Sequence, residues 1–98
     1  MNAMNPIDNP IGYASTFLFV PGNRPERFAK ALNSGANAII IDLEDAVAIE
    51  RLPVARGMVC DYLKHHPRGA QQVWVRINPL QTEHALHDLM AVMPGRPD

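Results

Sequence analysis

The chain has 98 residues, with 9 Lys plus Arg against 10 Asp plus Glu, a net charge of −1 and 47 % hydrophobic residues. This balance, with no basic block, offers no electrostatic footprint for nucleic acid or an anionic membrane surface. The lone cysteine, Cys60, excludes an internal disulfide and a multi-cysteine metal centre, and suits a small helix-face residue in a reducing compartment. The longest apolar stretch, Ala36 to Leu43, is far shorter than the roughly 18 residues of a membrane span, so a cytoplasmic chain is expected. Residues 1–14 lack the charged and apolar regions of a signal peptide and read as a flexible leader before one α/β domain at 15–98.

The pattern predicts a first strand at about 16–20, from the apolar run Thr16-Phe17-Leu18-Phe19-Val20, stopped by a turn with Pro21 at its second position and Gly22 at its third. A helix over about 25–33 follows, opened by Pro25, with Glu26 four residues before Lys30 and with Phe28, Ala31 and Leu32 on one face. The second strand, about 38–42, is apolar on both sides, as in a parallel strand covered on both faces, and runs into Asp42-Leu43-Glu44-Asp45. The helix at about 53–66 carries the stripe Val54, Ala55, Met58, Val59, Tyr62 and Leu63, with Pro67 as its stop. The third strand is expected at about 73–77. The helix at about 82–93 has Thr82 as N-cap and Ala85, Leu86, Leu89, Met90 and Met93 as its apolar face. Alternating strands and helices imply βα units around a parallel sheet. The size fits either a small three-stranded layer protein or the front of a barrel that takes roughly 250 residues when complete.

In parallel α/β folds the chemistry gathers at the C-terminal strand ends. Arg76 stands there in an otherwise apolar strand, either as a planar clamp for a substrate carboxylate or as the partner of Asp42 or Glu44. Asp42, Glu44 and Asp45 suit either an oxygen-liganded divalent cation or an acidic cluster at the start of the following helix. Arg24 and Lys30 are either phosphate-facing cations or a solvated face. His84 and His87 have metal-chelating spacing but no third ligand nearby, His65 and His66 suit a helix C-terminus, and Cys60 has no base beside it.

Three blocks together resemble the opening of the citrate lyase β-subunit and malyl-CoA lyase family. They are Leu18-Phe19-Val20-Pro21-Gly22-Asn23-Arg24-Pro25-Glu26-Arg27-Phe28; Gly35-Ala36-Asn37-Ala38 leading to Asp42-Leu43-Glu44-Asp45-Ala46-Val47; and Val75-Arg76-Ile77-Asn78. The resemblance implies that the fold is the first three βα units of a TIM (β/α)₈ barrel. It further implies Mg²⁺-dependent cleavage or formation of a carbon–carbon bond between an acetyl-type thioester and a 2-oxo acid. On this resemblance Arg76, Asp42 and Glu44 are the catalytic set, and Arg76 binds the carboxylate and carbonyl end of the oxo acid. Phe19, Arg24 and Lys30 face the acyl-CoA or acyl-carrier thioester. Asp42, Glu44 and Asp45 stand beside the metal, holding water rather than ligating it.

The chain departs from the family pattern at Ser15-Thr16, where relatives carry Arg-Ser, and at Ile49 and Leu52, where they carry proline and lysine. In relatives the stretch matching Pro94 to Asp98 leads into the next strand, and the direct Mg²⁺ ligands lie on later strands. The expectation is therefore the N-terminal portion of a lyase that is homo-oligomeric at full length, inactive and prone to association as 98 residues. The alternative is a short non-catalytic protein serving as an oligomerisation or interaction module.

Overall fold

The computed structural model describes residues 16–66 and 69–98, so the leader assigned to 1–14 and the stop assigned to Pro67 lie outside the described residues. Three strands, β1 (Phe17–Pro21), β2 (Ala38–Asp42) and β3 (Gln72–Arg76), alternate with helices α1 (Pro25–Leu32), α2 (Leu52–His65) and α3 (Glu83–Val92). The sheet is parallel, in the order β1-β2-β3, with Phe19 opposite Ile40 opposite Trp74, and Pro21 opposite Asp42 opposite Arg76. Element ends differ from the sequence reading by a residue or so. Short 3₁₀ turns precede α2 at Ile49–Arg51 and follow α3 at Met93–Gly95.

Side chains alternate across a strand, so each strand offers two faces. Val20, Ile39, Ile41 and Val73 point to one side, where they form the core with Phe28 and Ala31 of α1, Ala55, Val59, Tyr62 and Leu63 of α2, and Val92 of α3. Phe28 meets Tyr62 edge-on, with ring centroids 4.8 Å apart. Phe17, Phe19, Ile40, Trp74 and Arg76 line the opposite side, where Phe17 and Trp74 make an edge contact at 6.1 Å. That face is open: Phe19 keeps 53 % of its surface exposed. β2, expected to be covered on both faces, is packed by helices on one only; on the other, Ala38 and Asp42 are buried and Ile40 is half-buried.

The turn after β1 also differs. Arg24 N donates to the Pro21 carbonyl at 3.1 Å, so Pro21 is the first turn residue and Gly22 and Asn23 the central pair. Glycine is required at position 22 by proximity: Gly22 N donates to the Asp42 carbonyl at 2.8 Å, and a Cβ would stand 2.9 Å from that oxygen. In α1, Glu26 faces Arg24 at 3.8 Å, and no Glu26–Lys30 pair forms among the described residues.

In α2 the expected stripe holds, with Ala55, Val59, Tyr62 and Leu63 buried and Met58 half-buried, except that Val54 is exposed and Leu52 takes its place inside. The face of α3 is rotated from its expected position. In α3, Ala85, Asp88 and Val92 turn inward, while Leu86, Leu89, Met90 and Met93 face outward. The cause is polar. Asp88, 0 % exposed, accepts Arg56 Nε at 2.7 Å and both Asn78 N and Asn78 Nδ2 at 2.8 Å. A buried carboxylate must be bonded, and meeting that demand outranks the apolar periodicity of a surface helix. Thr82 occupies the N-cap position, but its hydroxyl donates to the Pro79 carbonyl at 2.7 Å instead of capping α3.

Glycine positions give a direct stability test. Gly57 lies within α2 with nothing near its missing Cβ, so Gly57→Ala is expected to stabilise the chain by about 0.5–1 kcal/mol. Gly22→Ala is expected to destabilise it by about 1–3 kcal/mol, because the added methyl meets backbone. Urea unfolding midpoints of the two variants check both signs.

Candidate active site

Asp42 and Arg76 are register partners at the C-terminal ends of β2 and β3, on the open face of the sheet. Their side chains form a two-pronged pair: Arg76 Nε donates to Asp42 Oδ1 at 2.9 Å and Nη2 donates to Oδ2 at 2.8 Å. The chain turns sharply after Asp42, so Glu44 N donates to Oδ1 at 2.9 Å and Ala46 N to Oδ2 at 3.2 Å. The carboxylate, on a residue only 3 % exposed, therefore has four donors. Glu44 Oε1 and Asp45 Oδ2 each lie 3.5 Å from the guanidinium, and the Phe19 ring centroid lies 5.1 Å from Arg76 Cζ. Arg76 Nη1 has no protein partner among the described residues.

These contacts set the charge states. Burial would raise the Asp42 carboxyl, but the Arg76 hydrogen bonds, the Glu44 and Ala46 amides and the Arg76 charge outweigh it and hold the group below its ordinary range. Bonding to Asp42 raises Arg76 above the normal guanidinium value, so the cation is permanent.

The structure thus brings Phe19, Asp42, Glu44, Asp45 and Arg76 together. The idea that the three acids lead the following helix is corrected: α2 starts at Leu52, and Asp42 serves the turn after its own strand. Arg24 precedes α1, exposed and paired with Glu26 at 3.8 Å. Lys30 lines a groove of about 380 Å³ with Leu18, Phe19, Val20, Arg27 and Ala31, beside the β1 edge strand. Neither cation contacts the Asp42–Arg76 pair. Among the described residues no three His, Cys, Asp or Glu side chains converge on a metal position, which holds for His84 and His87 too.

Sequence reading quoted Leu43 and Asn78 within its blocks without giving them a role, and did not single out Asp88. Asn78 Nδ2 donates to the Leu43 carbonyl at 3.0 Å, and Leu43 N donates to the Arg76 carbonyl at 2.9 Å, tying the acidic loop to the end of β3. The available signal was Asp88, an acid amid apolar residues in α3, which calls for a buried donor such as Asn78.

The lowered Asp42 pKa fixes a pH dependence. Its contribution to stability is fully present above the unfolded value of 3.8 and is lost as pH falls through the lower folded value. The stability gap between wild type and Asp42→Asn is therefore expected to be widest near neutrality and to close in acid, as measured by urea titrations across pH.

Comparison with known proteins accords with this geometry. The HpcH/HpaI aldolase/citrate lyase family model matches residues 15–98. Citrate lyase subunit beta of Leuconostoc mesenteroides subsp. cremoris is 38 % identical over 78 residues, covering 80 % of this chain and 26 % of that protein. The L-malyl-CoA/beta-methylmalyl-CoA lyase of Rhodobacter capsulatus is 37 % identical over 76 residues, covering 78 % of this chain and 24 % of that protein. A solved citrate lyase beta subunit from M. tuberculosis, complexed with oxaloacetate and magnesium, superposes with a TM-score of 0.67 at 42 % identity, covering 79 % of this chain and 32 % of that one. The chain thus spans about a quarter of the length of these curated relatives. With the family model matching nearly its whole length, the chain belongs to the HpcH/HpaI aldolase/citrate lyase family.

Proposed function

We propose that this chain is the first three βα units of a (β/α)₈ barrel lyase, and that Arg76 reads the carboxylate of a 2-oxo acid. The observation that carries the reading is the guanidinium itself. It is braced by Asp42 on one edge and by the Phe19 ring, yet it is 38 % exposed on the open face, with Nη1 hydrogen-bonded to none of the described residues. A planar donor so fixed suits two-point recognition of a carboxylate. The M. tuberculosis neighbour bound to oxaloacetate and magnesium supports that substrate class. The open apolar face of Phe17, Phe19 and Trp74 supports the barrel reading, since closed barrels pack such faces against opposing strands.

In the reaction proposed for the whole lyase, the bond between the carbinol carbon and the thioester α-carbon breaks. The hydroxyl proton is lost and that carbon becomes the oxo group of the acid. The bond electrons pass to the thioester enolate, which takes up a proton. Arg76 holds the acid's carboxylate, while Glu44 and Asp45 set a negative rim beside it. Bound Mg²⁺ would polarise the oxo group. The residues of this chain do not fit as its direct ligands: both Asp42 oxygens are already bonded by Arg76 and backbone amides, and among the described residues no three His, Cys, Asp or Glu side chains converge on a metal position. The acids are assigned to water around the ion. Arg24 and Lys30 are assigned to the phosphates of a CoA thioester in preference to an acyl-carrier protein.

A second reading, a non-catalytic interaction module, is favoured by the outward apolar residues Leu86, Leu89, Met90 and Met93 of α3. Isothermal titration of the 98-residue chain with oxaloacetate, with and without Mg²⁺, tests the first reading. The lyase reading predicts binding that Arg76→Ala abolishes and Arg76→Lys weakens about ten-fold or more, with no turnover of malyl-CoA or a citryl thioester by the isolated chain. A folded wild-type chain that ignores the oxo acid would reject Arg76 as a carboxylate reader within these three units.

A further inference from the structure

We propose that Asp88 and Asn78 are positioning residues for Arg76, acting through the Leu43–Glu44 peptide group. That Arg76 serves an anionic substrate is the reading above, on which the functional meaning of this inference rests.

The argument follows hydrogen bonds through a single peptide plane. Asp88 Oδ2 accepts both Asn78 N and Asn78 Nδ2 at 2.8 Å, which fixes the Asn78 carboxamide with its amino end toward the acidic loop. The other Asn78 Nδ2 proton goes to the Leu43 carbonyl at 3.0 Å. That carbonyl belongs to the same peptide unit as Glu44 N, which donates to Asp42 Oδ1 at 2.9 Å. Asp42 Oδ1 in turn accepts Arg76 Nε, also at 2.9 Å. Holding the carbonyl at one end of a planar unit aims the N–H at its other end. Asn78 thereby sets the plane that orients the Asp42 carboxylate, and Asp42 sets the guanidinium.

Asp88 is anchored from its far side by Arg56 Nε at 2.7 Å, and Arg56 Nη2 donates to the His84 carbonyl at 3.3 Å. The bracket is therefore braced by α2 and α3 and lies away from the exposed guanidinium. None of its members contacts Arg76 by side chain among the described residues. Their effect is on geometry alone, and buried bonded networks of this kind rigidify what they hold.

The test is amide and side-chain hydrogen exchange by NMR on the full chain. In Asn78→Ala, exchange at the Glu44 amide and at Arg76 Nε–H is expected to rise about ten-fold or more, while Ile39 and Ile41 in the strand core keep wild-type protection. Asp88→Asn retains one acceptor for Asn78, so it is expected to give a smaller rise at the same two positions. It also carries the comparison if Asn78→Ala does not fold. Unchanged exchange at Arg76 overturns the proposal, and so does a uniform rise across Ile39 and Ile41, which would mark a merely structural role. Oxaloacetate added to wild type in the same experiment tests the substrate reading separately: an Arg76 signal that ignores it rejects that reading and leaves the exchange comparison intact.

Discussion

A carboxylate at the end of the central strand, almost wholly withdrawn from water, is the constraint from which the rest of this site follows. Unpaired, it would be costly to bury. It is accommodated by four donors: two from the Arg76 guanidinium and two from the backbone that turns immediately after it. Parallel pairing in register puts Arg76 opposite Asp42, so the sheet itself delivers the cation. The backbone turn that supplies the Glu44 and Ala46 amides also brings the Glu44 and Asp45 carboxylates to the rim. One electrostatic requirement thus places every charged group of the site.

The same requirement explains the contrast between the two faces of the sheet. The covered face is built from aliphatic and aromatic packing against three helices and contains no ionised side chain of the strands. The open face mixes Phe17, Phe19 and Trp74 with the Asp42–Arg76 pair, a combination suited to an enclosed cavity with a few oriented polar groups. Solved relatives in the family are about three times as long as the part this chain matches. On the barrel reading proposed above, further βα units would supply the opposing wall and turn this surface into a cavity.

Much of this was legible in the sequence because strand signals are local. Apolar runs at Phe17 to Val20, Ala38 to Ile41 and Val73 to Val75 mark strands, and polar residues immediately after them mark the strand ends. Arg76 and Asp42 stood out for the same reason, each being a charge at the margin of an apolar run. What sequence could not give was the outcome of competition between distant groups. The rotation of α3 depends on Asp88 meeting Arg56 and Asn78, residues 32 and 10 positions away. The open side of β2 was equally hidden, because an apolar strand reads alike whether one or both faces are covered. Whether Arg76 clamps a ligand or pairs with an acid was left open by sequence. Its geometry allows both, with Nε and Nη2 on Asp42 and Nη1 bonded to none of the described residues.

The most direct test of the central claim is a double-mutant cycle joining Asp42→Asn and Arg76→Gln, with unfolding free energies measured in urea at neutral pH and again well below pH 3.8. The account predicts a favourable coupling at neutral pH that disappears once Asp42 is protonated. Additive effects at neutral pH would contradict it, because the guanidinium would then be held by something other than the carboxylate it faces.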